Sequence, residues 1–370
     1  MDRKHTSDKV NKPFKTGRRR LIKLSAIAVL FAALIITQTS CSGTQAQPVT
    51  DDGYFLDTIC SVSIYRMTDA DGKVKEAAKM EDEAKAAIDE SFDLCKALED
   101  KLSRTRTNSD ISKLNSAKGE WVEVSDETAD LLIRGLEYSI HSDGDFDITV
   151  GGVTKLWDFH AAEGEAKLPD EEALAEAVKH VGFSNLEIKG NKVRLKDPET
   201  EVDLGGIAKG YIGDMMTDLL EEKGVVSATI NLGGNVICIG SKTDEDDFVI
   251  GVEAPFSDRT EIIGKIPVRD KTLVTSGIYE RKIEVDGKLY HHILDTKTGM
   301  PVDSELTAVT LVADKGLSAD LDAASTICLI KGYDGALEYL EEYMPDGVEG
   351  VFVFKNGDIK TTANSHFEEE

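Results

Sequence analysis

Hydrophobic side chains alternate or recur at helical spacing through nearly all of the chain beyond residue 53, and that pattern predicts its elements. "YFLDTICSVSIY" (residues 54–65) alternates as a strand. "KVKEAAKMEDEAKAAIDESFDLCKALEDKLS" then repeats Ala, Leu and Phe at helical spacing among many charges. A loop, "SRTRTNSDISKLN", and a short helical turn lead to a second amphipathic helix, "DETADLLIRGLEYSIHS", with Ser125 or Asp126 as its N-cap. A third helix is expected from about Pro169 to His180, with short strands near Leu186 and Val193.

In "VDLGGIAKGYIGDMMTDLLEEKG", the side chains of Ile207, Tyr211, Ile212, Met215, Met216, Leu219 and Leu220 make one apolar stripe. This predicts a helix starting near Gly205 or Gly206, with Lys209 about 200° from Ile207 and turned away from the buried face. The following segments, "SATINLGGNVICIG", "DFVIGVEAP", "GKIPVRDKTLVTSGIYERKIEVDGKLYHHILD" and "LTAVTLVAD", are β-branched runs broken by Gly, Asp and Asn. "ADLDAASTICLIKGYDGALEYLEEY" reads as helix and "VEGVFVFK" as a last strand before a polar tail over 362–370. The expected class is α+β: one domain over 53–361, with mixed or antiparallel sheets flanked by helices rather than a doubly wound nucleotide fold.

The first 40 residues follow a different pattern. Nine basic and two acidic side chains precede a largely apolar run, Leu24 to Ile36, of thirteen residues. A bilayer span needs roughly 20, so residues 1–40 read as a signal peptide, with an uncleaved anchor as the alternative. Cys41, in "TQTSCSGT", resembles the cysteine of a bacterial lipobox, with Gln38 where leucine is usual. Residues 41–52 then form a polar tether from a lipidated Cys41, and the body of the protein is expected on the extracytoplasmic face of the cell membrane.

The chain carries 43 basic and 69 acidic side chains, net −26. Residues 1–40 contribute +7, which leaves −33 for the rest. So acidic a body repels nucleic acid and implies small-molecule or protein partners. Cys60, Cys95, Cys238 and Cys328 lack C-x-x-C spacing and lie in apolar surroundings, which predicts buried thiols rather than a zinc site.

Three stretches carry candidate chemistry. The glycines of "VDLGGIAKGYIGD" (residues 202–214) mimic a phosphate loop, but the Walker pattern is absent. A glycine turn into a helix offers backbone N–H groups to an anion, or simply leaves Lys209 solvated. In "DLDAAST", Asp322 and Thr326 are four residues apart on one helix face, a hard-oxygen pair suited to Mg²⁺; Asp320 is the alternative carboxylate. In "KLYHHILDTKTGMPV", adjacent histidines on a strand face opposite ways, and one of them is a candidate proton acceptor.

Taken in order, "LDTICSVSIY", "LSRTRTNSDISKLN", "DFDITVGGVTKLWDF", "VDLGGIAKGYIGD", "INLGGNV", "TSGIYER", "HHILDTKTGMPV" and "DAASTICLIKG" resemble the ApbE family of FAD:protein FMN transferases. They span roughly residues 54–345. The resemblance implies a single domain with an FAD pocket between lobes. It also implies Mg²⁺-dependent transfer of FMN from FAD, the substrate, to a threonine hydroxyl of a target protein, forming a phosphoester and releasing AMP. The implied acceptor is an extracytoplasmic electron-transfer subunit.

By motif, Asp322 and Thr326 match the side-chain metal ligands, and Ala208 matches the residue that gives a backbone carbonyl. Asp203, Gly205, Gly206 and Lys209 match the flavin-nucleotide pocket, together with Asn231, Gly233, Gly234, Thr275, Ser276 and Gly277. His292 matches both pocket and base, and Asp295 is a second candidate base. Leu56 and Thr296 replace the methionine and proline that the family often carries. Hydrolysis of FAD to FMN and AMP, or flavin binding without turnover, are the alternatives.

Overall fold

The structure is a computed structural model that describes residues 47–161, 164–257 and 261–370, and these form one unit. Cys41 and the signal peptide lie outside the described residues. Seventeen strands and seven α-helices appear among the described residues.

β1 (Val49–Phe55) and β2 (Thr58–Thr68) form a hairpin, followed by β3 (Val74–Glu76) and α1 (Glu81–Leu102). The expected single strand over 54–65 is therefore two. Leu56 and Asp57 turn the chain at φ 56° and 57°, a two-residue reversal without the usual glycine. The expected tether is shorter too, because Val49 to Asp52 pair with Ile64 to Ser61. The first charged residues of the predicted long helix extend β2's edge as β3, and the helix proper begins only at Glu81.

α2 (Asp110–Ser116), β4 (Val122–Glu123), α3 (Asp126–His141), α4 (Gly151–Thr154) and α5 (Glu171–Val178) come next. Ser125 caps α3 by accepting from Thr128 N, 3.3 Å. β5 (Leu186–Lys189), β6 (Lys192–Leu195) and β4 make a small sheet, and α6 (Ala208–Glu222) follows.

The remaining strands are β7 (Val225–Leu232), β8 (Asn235–Ile239), β9 (Phe248–Glu253), β10 (Ile262–Val268), β11 (Lys271–Gly277), β12 (Lys282–Val285), β13 (Lys288–His291) and β14 (Leu306–Asp314). α7 (Ser318–Tyr343), kinked at Gly332, precedes β15 (Glu349–Phe354), β16 (Ile359–Thr361) and β17 (Glu368–Glu369).

The main sheet is antiparallel, ordered β1-β2-β7-β8-β11-β14-β15-β16, with β3 beside β2. β14 sits near its middle and is buried on both faces (Leu306 through Ala313), so its sequence shows no alternation. One face carries Val62, Ile64, Ile230, Ile237, Val274, Val309 and Leu311, and packs in a core with residues of α1, α6 and α7. The opposite face carries Tyr65, Cys238, Leu273, Val312 and Val351, covered by Phe248, Val252, Ile266 and Val268 of β9 and β10. Residues 362–370, read from the sequence only as a polar tail, return to β10. Gly264 and Lys265 pair with Glu369 and Glu368, and Phe367 packs on that core. A smaller core around Trp157, Leu174, Ile283, Tyr290 and Leu294 joins α5 to the β12–β13 hairpin.

All four cysteines beyond residue 46 are buried free thiols, as expected. Among the described residues no helix is long and apolar enough to cross a membrane.

A candidate active site at one end of the main sheet

The register brings one end of several strands together. β2 begins at Thr58, β7 ends at Leu232, β8 begins at Asn235 and β11 ends at Gly277. Gly233 and Gly234 make the β7–β8 turn at φ 62° and 103°. A Cβ on Gly233 would stand 2.5 Å from the Thr58 hydroxyl, so a side chain here would meet both steric and backbone strain. Asn231 caps that turn by accepting from Gly234 N at 3.2 Å.

α6 and α7 cross above this end. α6 does not begin at Gly205 or Gly206 as the stripe suggested. Asp203 Oδ1 accepts from Gly205 N, 2.9 Å, which bends the chain into a turn, and the helix opens at Ala208. Several of the N–H groups at its start are already bonded within the chain. Ala208 N and Tyr211 N donate to Leu204 O and Ile207 O, and Gly210 N donates to Asp322 Oδ2 at 3.0 Å.

Lys209 also departs from the expected orientation. Its Nζ lies 3.0 Å from Asp322 Oδ1, with 22% of its side chain exposed against 3% for Asp322. Rotation about α6 does take Lys209 off the apolar stripe. That direction meets α7 rather than solvent, which a single-helix projection cannot show.

Asp320 and Asp322 are separated by the tertiary structure. Tyr138 Oη donates to Asp320 Oδ1 at 2.6 Å, which ties that carboxylate to α3. Asp322 faces α6, and one turn later Thr326 Oγ1 lies 3.1 Å from Ser276 Oγ on β11. Ser276 also contacts Ser325 Oγ at 2.8 Å. Asp322, Thr326, Ser276 and Lys209 thus form one cluster, and Ala208 precedes Lys209 as the first residue of α6. Thr275 does not join it: its hydroxyl meets Thr310, its cross-strand partner, at 2.8 Å on the opposite sheet face.

Two further groups border the cluster. Asp203 Oδ2 is paired with Arg104 Nε at 2.9 Å, which brings the "SRTR" loop to the turn. His292 follows β13, half-buried, with Nδ1 3.2 Å from Arg281 O. A carbonyl only accepts, so Nδ1 carries the proton and Nε2 holds a lone pair. Burial first, then the Arg281 guanidinium and more distantly His291 and Lys209, push its pKa down to about 3. Asp295 spends Oδ1 on Lys297 N (2.7 Å) and Thr298 N (3.0 Å), which close the turn to Gly299.

Sequence reasoning missed Arg104, Ser325, Tyr138 and Asp214. Asp214 was within reach, since it lies four residues after Gly210 inside the quoted motif and therefore on the same helix face. The other three needed the fold.

A carboxylate, three hydroxyls and a lysine thus meet where the starts of α6 and α7 approach one end of the main sheet, a hard-oxygen donor set beside a cationic side chain. Residues 56–352 match the ApbE family, and the chain belongs to it. An FAD:protein FMN transferase of Treponema pallidum (strain Nichols) is 31% identical over 324 residues, covering 83% of this chain and 85% of that relative. One from Klebsiella pneumoniae (strain 342) is 35% identical over 281 residues, covering 72% and 82%. The crystal structure of the ApbE protein of Thermotoga maritima is similar at TM-score 0.74 and 29% identity, covering 86% of this chain and 97% of that one. The Pseudomonas stutzeri flavinyl transferase ApbE, apo form, is similar at TM-score 0.70 and 26% identity, covering 87% and 96%.

Proposed function

We propose that this chain is an FAD:protein FMN transferase that acts with Mg²⁺ on a threonine hydroxyl of a target protein. The observation that carries the reading is the joining of Asp322, Thr326 and Ser276 beside Lys209 at the start of α6. In the reaction, the acceptor oxygen bonds to the FMN phosphorus and the bond from that phosphorus to the AMP oxygen breaks. The hydroxyl proton leaves, and AMP departs.

The residues suit a divalent cation. Asp322 is 2% exposed, supplies a carboxylate, and already holds the Lys209 ammonium 3.0 Å away as a cation in place. Asp322, the Thr326 hydroxyl and the Ala208 carbonyl would hold Mg²⁺, which supplies charge stabilisation at phosphorus and at the departing phosphate.

The rest of the chemistry belongs to the chain. Lys209 and Arg104 supply positive charge for the pyrophosphate in an otherwise acidic body. The Nε2 lone pair of His292 takes the acceptor proton. Burial, followed by the Arg281 charge, holds that ring neutral with its pKa at about 3, so the lone pair is free at neutral pH. Asp295, with Oδ1 bound to its own turn, positions the segment that follows His292.

Cys41 as a lipidated residue would place the site outside the cytoplasm, within reach of membrane-bound electron-transfer subunits as acceptors. The basic stretch and short apolar run before it support that reading. The test incubates the protein with FAD, Mg²⁺ and a domain bearing a threonine acceptor. FMN mass added to the threonine supports transfer; AMP with free FMN alone replaces it with hydrolysis; bound FAD without turnover replaces it with binding.

A further inference from the structure

Neither α6 nor α7 has a side-chain cap at its own N-cap residue. Each is capped instead by the other. Asp322 Oδ2, in the second turn of α7, accepts from Gly210 N of α6 at 3.0 Å. Asp214, in the second turn of α6, accepts from Ser318 N (3.0 Å, Oδ1) and Ala319 N (2.9 Å, Oδ2) of α7. Gly210 lies four residues before Asp214 and Ser318 four before Asp322, so the two crossing helices exchange carboxylates across one contact.

That contact is a backbone approach. A Cβ on Gly210 would stand 2.0 Å from Ser318 O and 2.6 Å from Ala319 N. Gly210 therefore permits the depth, and the carboxylate pair sets the rotation, at which α7 meets α6. Rotation matters because Asp322 must face Gly210 and Lys209 while Thr326, one turn on, faces Ser276.

The geometry points to Asp214 as the positioning residue of the cation site: by holding the Ser318 and Ala319 N–H groups, it fixes the face of α7 that presents Asp322 and Thr326. Asp214 spends both carboxylate oxygens on the α7 backbone and so acts through α7. The inference rests on the cation reading given above. Burial raises the Asp214 pKa to about 6 against the lowering effect of the two N–H bonds. A carboxylate kept at that desolvation cost, where a short neutral cap such as serine serves most helices, is consistent with a demand for two simultaneous N–H bonds.

The test titrates Mg²⁺ into the full-length, FAD-free chain by calorimetry, well below the melting temperature of each variant. Asp214→Ala is expected to raise the Mg²⁺ dissociation constant at least tenfold. Asp214→Asn, which keeps one acceptor oxygen, is expected to fall between it and wild type, and serves if the alanine variant does not fold. Val268→Ala, in the core on the opposite sheet face, controls for general destabilisation and should stay within twofold of wild type. Asp214 variants within twofold of wild type would overturn the inference, as would an equal shift in Val268→Ala. A wild type that binds no Mg²⁺ overturns the cation reading itself, an outcome visible before any variant is made.

Discussion

Lys209 Nζ lies 3.0 Å from Asp322 Oδ1, so the first turn of α6 holds a cation against the carboxylate that faces it from α7. Removing one partner of a buried pair leaves the other charge without compensation, at about 3 kcal/mol or more; with Lys209 at 22% exposure, the low end applies. Lys209→Met is expected to lower the melting temperature without Mg²⁺. It should also tighten Mg²⁺ binding to the FAD-free protein, because a competing positive charge is gone, and weaken FAD binding. Thermal shift with and without Mg²⁺, and flavin fluorescence, check the three signs; a variant with weaker Mg²⁺ binding would refute the competition.

Gly210→Ala forces α6 and α7 apart, since the added methyl would stand 2.0 Å from the Ser318 carbonyl. Backbone on both sides leaves nothing flexible to yield, so the cost is expected at the upper end of overpacking, about 3 kcal/mol. The measurable outcome is a loss of that size in urea unfolding, together with loss of transferase activity at temperatures where the variant is folded.

His292→Gln removes the Nε2 lone pair while retaining a polar side chain of similar reach. General-base removal costs about 10²- to 10⁴-fold, so kcat is expected to fall in that range with the KM for FAD little changed. Equal kcat in wild type and variant would pass the proton-acceptor role to another group, Asp295 first.

Acid stability tests His291, the neighbour on the buried side. It is 6% exposed, and burial pushes its pKa down to about 4, with Nε2 3.2 Å from Val302 O. The unfolded chain takes up the proton nearer pH 6.5, so stability from the neutral ring is complete above that pH and is lost as pH falls toward 4. Between pH 7.5 and 5 the loss is about 2 kcal/mol. His291→Gln should show a flatter unfolding midpoint across that range; an equal slope would contradict the assignment.

Much of the site was legible in order along the chain, because motifs such as "VDLGGIAKGYIGD" and "DAASTICLIKG" place specific atoms at fixed helical offsets. Asp322 and Thr326 share a face through i,i+4 spacing alone, and the structure has them there. The Leu56–Asp57 reversal carries no turn signature in the sequence, because neither residue is a glycine or asparagine. The return of residues 362–370 to β10 carries none either, because a two-residue pairing held by Phe367 has no periodicity.

Sequence by itself determined the longer helices, most strands, the buried thiols and the chemical types in the site, because periodicity and side-chain chemistry are local properties. Tertiary structure alone decided partners. It tied Asp320 to Tyr138, left Asp322 for Gly210 and Lys209, and set Asp214 against the start of α7. Those choices depend on the angle and depth at which α6 crosses α7, and that geometry is set by a glycine–backbone contact between residues more than a hundred positions apart.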